Sequence, residues 1–198
     1  MTGVRWMAGV TAAIVVVTGI AAAQGPPQAP LAIPSPHYEV IELEQTVNRS
    51  APEAWRRIGK FCDIGEWYQM ACTLLSGKDG EVGAVRSVGN EILIAKTELS
   101  YTYTQPVRVG VPYNLYHGTL EARPLTASTA TLIYTLVYDN SMLADEAARA
   151  QDRQRRATTF TRALQNMKTL VEGGTLPPPA PRTGGPGSAP AAGAGRGN

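Results

Sequence analysis

Two side chains of opposite charge, Arg86 and Glu91, flank the turn sequence VGN. Because Gly and Asn are common in tight hairpin turns, the two residues are predicted to lie on adjacent strands. One interpretation is a structural ion pair across the hairpin, which contributes little when it is exposed. The other is that Glu91 is buried, which would raise its pKa and make it a candidate general base or ligand-polarising group.

Tyrosines form the second set of residues that could take part in catalysis or ligand binding. The segment SYTYT places Tyr101 and Tyr103 on one face of a strand, because side chains alternate between the two faces. By the same alternation, Tyr116, Gly118 and Leu120 share one face of the segment YHGTLEA. These aromatic faces are predicted to point inward and the polar faces outward.

Several inward tyrosines are unusual for a core, since each buried hydroxyl without a partner costs about 1–3 kcal/mol. Two interpretations remain open. Either the rings are half-buried strand aromatics whose hydroxyls reach water, or they line a cavity in which several hydroxyls bind a flat or lipid-like organic molecule. Gly118 would leave room in such a cavity because it has no side chain.

Other catalytic patterns are not found in the sequence. His117 is predicted to lie on the face opposite Tyr116, and His37 precedes the first strand, so neither is expected to act as an acid–base group. The two histidines and two cysteines match no zinc-binding spacing, and no phosphate loop, nucleophile elbow or dinucleotide fingerprint occurs. We therefore expect neither a metal nor a cofactor.

The interpretation of the two cysteines, Cys62 and Cys72, depends on the compartment. Residues 1–23 combine Arg5, an apolar stretch and three alanines, which is the pattern of a cleaved secretory signal peptide. A retained N-terminal membrane anchor is the alternative. In an exported, periplasmic or secreted chain an even cysteine count favours a disulfide over two buried thiols.

Composition divides the rest of the chain into three parts. A Pro-rich linker is predicted over 24–36, one domain over 37–173, and a disordered Pro/Gly/Ala-rich tail over 174–198. The formal net charge of +2 is too small to indicate a nucleic acid or an anionic membrane as partner. Removal of the leader would leave no segment expected to insert stably in a membrane, and the oligomeric state is not determined.

The elements that must position these groups follow from periodicity. A strand ending at Asn48 is followed by a helix capped by Ser50, a second short helix or turn, and an extended segment from Met70 to Leu75. Five further short strands are joined by tight turns, which is typical of an antiparallel sheet.

A long amphipathic helix is predicted from Met142 to Glu172, stopped by glycine. Its apolar face carries Phe160, Leu164, Met167 and Val171 at spacings of four, three and four. The preceding RAQDRQRR stretch is predicted to be an ordinary solvated face. Its basic residues are Arg149, Arg153 and Arg156, beside the acidic residues Asp145, Glu146 and Asp152.

The ordered series of these segments resembles the START/Bet v 1-like SRPBCC superfamily, in its polyketide cyclase/dehydrase-like branch. The segments that carry the resemblance are SAPEAWRRIGKFCDIGEWY, GEVGAVRSVGNEIL, SYTYT, PYNLYHGTLEARP and LIYTLVYD. The resemblance implies an α+β helix-grip fold, in which a curved antiparallel β-sheet wraps around a long C-terminal α-helix, with two short helices after the first strand. It also implies an apolar cavity between sheet and helix, and that the Tyr134 face of its strand points inward.

The resemblance and the strand alternation together place a hydrophobic ligand against one set of residues: Arg86, Glu91, Tyr101, Tyr103, Tyr116, Gly118, Leu120, Tyr134, Phe160, Leu164 and Met167. An exported binding or carrier protein for an aromatic, polyketide-like or lipid molecule is the function this favours. A cyclase, dehydratase or lyase acting on such a molecule, with Glu91 as its acid–base group, is the alternative. An interaction module that uses the tail is a third hypothesis.

Overall fold

The computed structural model describes residues 35–108 and 110–178. The predicted signal peptide, nearly all of the linker and the tail beyond 178 lie outside these residues. The elements in chain order are β1 Tyr38–Val47, α1 Ala51–Ile58, α2 Ile64–Trp67, β2 Leu74–Ser76, β3 Val85–Arg86, β4 Glu91–Lys96, β5 Ser100–Thr104, β6 Asn114–Pro124, β7 Ala130–Asp139 and α3 Glu146–Val171.

The seven strands form one antiparallel sheet in the order β1-β7-β6-β5-β4-β3-β2. The sheet curves around α3, and the two short helices follow β1, so the predicted helix-grip fold is confirmed. The extended segment predicted from Met70 to Leu75 is only partly a strand, since β2 begins at Leu74.

Local sequence explains where the helices begin and end. The backbone N–H of Ser50 donates to the Glu53 carboxylate, as expected of a capping box at the start of α1. The long helix begins at Glu146 rather than at Met142, because the Asp145 carboxylate accepts the Ala148 N–H at 2.8 Å and caps it there. It ends before Gly173, whose φ of 89° is readily adopted by glycine.

The core lies between the inner face of the sheet and α3. The predicted apolar face of α3 is buried, and the inward-facing tyrosines are at most 4% exposed. Half-buried rings with hydroxyls in water are therefore excluded for all four. These tyrosines are Tyr101, Tyr103, Tyr116 and Tyr134.

The predicted disulfide is confirmed: Cys62 and Cys72 are bonded, with Cα atoms 5.5 Å apart. It joins the turn that leads into α2 to the chain that leads into β2. Closing so short a loop contributes about 2–3 kcal/mol. Within residues 35–108 and 110–178, no helix is long and apolar enough to cross a membrane.

Candidate functional site

A cavity of about 400 Å³ opens between the sheet, the α2 segment and the N-terminal half of α3. Five of the residues that line it are aromatic, and three are arginines. Its lining comprises Ile64, Tyr68, Met70, Val88, Gly89, Glu91, Tyr103, Gln105, Arg108, Tyr113, Tyr116, Arg155, Arg156, Thr159 and Phe160.

Aromatic rings make up most of the apolar wall. The ring centroids of Tyr113 and Tyr116 are 5.1 Å apart, and those of Tyr103 and Tyr116 are 6.3 Å apart. On the helix side, Tyr68 and Phe160 approach to 5.9 Å. These separations lie in the range in which aromatic side chains attract one another, so the rings hold each other in place around the cavity.

A β-bulge brings two of these rings together. Alternation alone would place Tyr113 and Tyr116, three residues apart, on opposite faces. The β6–β7 register shifts between Asn114 and His117, and Leu115 has a φ of 47°. The extra residue reverses the alternation, as bulges commonly do near binding sites, so that both tyrosines line the cavity.

The sheet wall contains a buried ion pair. Arg86 and Glu91 are 0% and 2% exposed, and the Arg86 Nε donates to Glu91 Oε2 at 2.6 Å. Arg86 Nη1 donates to the Phe61 carbonyl at 2.5 Å, and its guanidinium carbon lies 4.7 Å from the Tyr103 ring centroid. The hairpin partners predicted from the sequence are therefore paired, but buried rather than exposed.

From Glu91 a hydrogen-bonded chain leads toward the mouth of the cavity. Gln105 Nε2 donates to Glu91 Oε1 at 2.7 Å, and the Tyr113 hydroxyl donates to Gln105 Oε1 at 2.7 Å. Burial raises the pKa of Glu91, while Arg86 and Gln105 hold that rise back because both bind the ionised carboxylate. Each carboxylate oxygen thus already accepts a hydrogen bond.

The helix wall contains a second buried ion pair. Asp152 is 2% exposed, and its Oδ2 accepts from Arg156 Nε at 2.7 Å. The Arg156 guanidinium carbon lies 4.6 Å from the Tyr113 ring centroid and 4.4 Å from that of Tyr138. Such distances are within the range of cation–π attraction. Arg155 also pairs with Asp152 but is more exposed.

These contacts correct the prediction that RAQDRQRR forms an ordinary solvated face. Asp152 is buried, and only 12% of the Arg156 side chain is exposed. The sequence did hold a signal for this burial. Continuing the apolar stripe of α3 from Phe160 toward the N-terminus in steps of four reaches Arg156 and then Asp152.

Burial keeps three of the tyrosine hydroxyls in the cavity protonated at neutral pH. Burial raises the pKa of Tyr68, Tyr103 and Tyr116 above the ordinary tyrosine value, because the anion would be poorly solvated there. The hydroxyl of Tyr103 lies 2.8 Å from that of Tyr134, with which it forms a hydrogen bond. A protonated hydroxyl can donate a hydrogen bond to a ligand oxygen or nitrogen.

The structure separates the residues predicted from the sequence into two sets. Four of them line the cavity: Glu91, Tyr103, Tyr116 and Phe160. Arg86 lies behind Glu91, and Tyr101 lines a separate cavity of about 240 Å³. The others are buried in the core without lining the larger cavity, namely Gly118, Leu120, Tyr134, Leu164 and Met167.

Gly118 has a different role from the one predicted. A Cβ atom at this position would lie 2.4 Å from both Cζ and the hydroxyl oxygen of Tyr103. The missing side chain therefore admits the Tyr103 ring, and the room it leaves is filled by protein.

The two histidines do not line the cavity. His117 is half-buried on the other face of β6 from Tyr116, and burial lowers its pKa. The His37 ring is hydrogen-bonded to Asn140 at 2.8 Å, away from the cavity lining. In the part of the chain that the structure describes, no cluster of three or more His, Cys, Asp or Glu side chains could hold a metal ion.

Solved structures share this fold. A protein from Thermobifida fusca is 21% identical over 69% of this chain and 97% of its own, with a TM-score of 0.57. The di-domain aromatase/cyclase BexL of the BE-7585A biosynthetic pathway is 18% identical over 68% of this chain and 46% of its own, with a TM-score of 0.52. Truncated norcoclaurine synthase from Thalictrum flavum is 12% identical over 72% of this chain and 99% of its own, with a TM-score of 0.51.

No protein-family model and no curated protein sequence matches the chain. At these identities the structural similarity establishes the fold alone. The chain therefore shares the helix-grip fold of the aromatase/cyclase and norcoclaurine synthase structures, which is the fold that the resemblance implied.

Proposed function

We propose that this protein reversibly binds a flat, hydrophobic small molecule in the cavity between its sheet and α3, and acts as its carrier. The observation that supports this most directly is the composition of the cavity wall. About 400 Å³ of space is lined by five aromatic residues, three aliphatic or Met side chains and six polar or charged side chains, three of which are arginines. Ligand pockets typically measure about 300–1,000 Å³ and combine an apolar lining with a small number of orienting polar groups.

Each part of the wall has a role in this proposal. The rings of Tyr113, Tyr116 and Phe160 offer flat surfaces on which an aromatic or polycyclic ligand can stack. The hydroxyls of Tyr68 and Tyr116, whose pKa values are raised, are donors that would fix its orientation. The rings pack on one another, so the ligand does not have to order them.

An enzyme that acts on such a molecule is the second candidate. It is favoured by one observation, a buried Glu91 with a raised pKa at the cavity wall. We place it second because both oxygens of Glu91 already accept hydrogen bonds, one from Arg86 and one from Gln105. A lyase or dehydratase would also need a second positioned acid–base group, and apart from Glu91 the cavity lining offers only tyrosines and arginines for that role.

We further propose that the protein works outside the cytoplasm. The Cys62–Cys72 disulfide supports this, because disulfides persist mainly in oxidising compartments. The signal peptide pattern in residues 1–23 supports it independently. Intact mass measurement of the protein from its own host should show loss of the leader, whereas a full-length chain would favour the retained membrane anchor. Recovery of the protein in the cytoplasmic fraction with both cysteines reduced would contradict the proposal.

The binding proposal can be tested without knowing the ligand. Titration with the uncharged fluorescent probe N-phenyl-1-naphthylamine should show saturable binding at one site. Thr159→Trp, which fills the cavity from α3, should reduce the affinity at least tenfold. Thr158→Trp is the matched control, because Thr158 is exposed and absent from the lining, and it should bind like the unmodified protein. No binding, or equal binding by both variants, would refute the proposal.

Native mass spectrometry of the host-purified protein should then identify a co-purifying molecule. Incubation of that molecule with the protein distinguishes carrier from enzyme. A carrier returns it unchanged. An enzyme converts it, and Glu91→Gln should abolish conversion while the probe still binds.

A further inference from the structure

The charged groups of the cavity do not balance. Three arginines line it, Arg108, Arg155 and Arg156, and a single carboxylate, Glu91. Counting the buried partners behind the wall, Arg86 and Asp152, gives four arginines against two carboxylates. The excess is therefore two positive charges. A wholly neutral ligand would leave this excess in a partly enclosed, aromatic-lined space, where charge interactions are stronger than in water.

Both carboxylates are already neutralised by contacts within the protein. Glu91 is paired with Arg86, which is fully buried. Asp152 is shared by Arg155 and Arg156. A ligand that enters the cavity therefore does not meet an unpaired negative charge from either residue.

Arg108 is the cation of the cavity lining that belongs to neither of these ion pairs. It forms no ion pair within residues 35–108 and 110–178. Its Nη2 lies 3.4 Å from Gln105 Oε1 and 3.3 Å from the Tyr113 hydroxyl, longer than ordinary N–H···O hydrogen bonds. The exposed guanidinium thus retains donors for a stronger partner at the edge of the cavity.

Arg108 lies beside the aromatic rings that line the cavity. Its guanidinium is next to the hydroxyl end of Tyr113, and the Tyr113 ring packs against Tyr116 inside the cavity. A flat molecule stacked on these rings would extend an edge substituent toward Arg108. Guanidinium groups bind carboxylates, sulfonates and phosphates through paired, charge-assisted hydrogen bonds.

We infer that the ligand is an amphiphilic organic anion, whose acidic group pairs with Arg108 while its apolar body lies among the tyrosine rings. This inference rests on the proposed binding function and narrows its ligand class. Arg108 is then the residue that selects acidic ligands over neutral ones of the same shape. An anionic group at this place would satisfy a cation that the protein itself leaves without an ion pair in its described residues.

A matched pair of probes tests the inference. 8-Anilinonaphthalene-1-sulfonate and N-phenyl-1-naphthylamine share one ring system and differ in the sulfonate. The protein should bind the sulfonate more tightly, and Arg108→Gln should weaken that binding by about tenfold, the usual effect of losing a charge-assisted hydrogen bond. The affinity for the neutral probe should change less than twofold, and Arg108→Lys should retain part of the preference.

Arg123→Gln is the charge-matched control. Arg123 is exposed on β6, pairs with Glu121 and is not in the cavity lining, so its loss should affect neither probe. Added salt should weaken sulfonate binding and leave neutral binding unchanged. Equal affinities for both probes, or equal losses of sulfonate affinity in Arg108→Gln and Arg123→Gln, would overturn the inference about the acidic group but not the binding function. Failure of both probes to bind the unmodified protein would overturn the binding function itself.

Discussion

Two buried arginine–carboxylate pairs stand on opposite walls of the cavity, and they differ in their surroundings. On the sheet wall, Arg86 is 0% exposed and contacts Glu91, the Phe61 carbonyl and aromatic rings. On the helix wall, Arg156 is paired with Asp152 and stacked on tyrosines, but it lines the cavity. In the first pair the cation is sealed in the core behind Glu91, whereas in the second the cation itself borders the space that we propose holds the ligand.

The difference shows how burial determines what an ion pair can do. A sealed pair must be satisfied entirely by the protein, since uncompensated charge has no solvent to stabilise it. In the sheet pair, the Phe61 carbonyl accepts a hydrogen bond from Arg86 and Gln105 donates one to Glu91, in addition to the ion pair itself. A pair at a cavity wall can instead exchange a contact for solvent or a ligand. We therefore regard the sheet pair as structural and the helix pair as part of the binding surface.

The largest expected effect comes from breaking the sealed pair. Arg86→Met leaves the Glu91 carboxylate buried without its cation, which should lower the free energy of unfolding by about 3–5 kcal/mol in urea denaturation. Arg86→Met combined with Glu91→Leu should recover most of this loss, because no uncompensated charge remains. Arg123→Gln, in an exposed pair, should unfold like the unmodified protein. An undiminished stability in the Arg86 variant would contradict the sealed character of the pair.

Removing the disulfide should have the next largest effect. Cys62 follows Phe61, whose carbonyl binds Arg86, and the chain between the cysteines contributes Ile64, Tyr68 and Met70 to the cavity. Replacing both cysteines by alanine should cost about 2–3 kcal/mol of unfolding free energy. Probe affinity should fall as well, because this wall becomes less ordered. If reduction by a thiol changes neither quantity in the unmodified protein, the loop does not depend on its covalent link.

Breaking the helix pair should cost less than breaking the sheet pair. Asp152→Asn removes the counter-charge of Arg156, whose guanidinium retains its tyrosine contacts and access to the cavity. We expect a loss of about 1–3 kcal/mol in urea denaturation. Tighter binding of the anionic probe should accompany it, since the positive charge of the cavity increases. A loss equal to that of Arg86→Met would show that both pairs are equally sealed.

The dependence of unfolding free energy on alkaline pH tests the buried tyrosines that lie between the two ion pairs. Burial raises the pKa of Tyr103 well above its ordinary value, so the folded protein favours the neutral form. This contribution is complete below the unfolded pKa of about 10 and is lost as the pH rises above it. Each such tyrosine should reduce stability by up to about 1.4 kcal/mol per pH unit there. Tyr103→Phe should show a shallower decline between pH 10 and 11, and an identical slope would contradict the assignment.

Alternation and turn chemistry were sufficient to predict much of this arrangement. The positions of Tyr101, Tyr103 and Tyr116 on buried faces followed from a period of two. The turn at Gly89 and Asn90, both with positive φ, placed Arg86 opposite Glu91. These features depend on neighbours in the sequence, which is why local patterns predict them.

The parts of the site that were missed depend on longer-range structure. Gln105, Arg108 and Tyr113 lie in the connection between β5 and β6, where no periodicity applies. The bulge at Leu115 reverses the strand alternation without a glycine to mark it. Charge on the first half of α3 predicts solvent exposure, but the rings of a separate strand and loop cover Arg156.

The sequence by itself determined the seven-stranded order of elements, the long C-terminal helix and the cysteine pair, because caps, turns and periodicity act over short distances. Only the tertiary structure decided which polar groups became buried. It filled the space beside Gly118 with Tyr103 and enclosed Asp152 and Arg156. It also brought Arg108 to the edge of an aromatic cavity without a carboxylate partner among the described residues. Burial and charge pairing depend on which segments meet across the fold, and that information is not contained in any single segment.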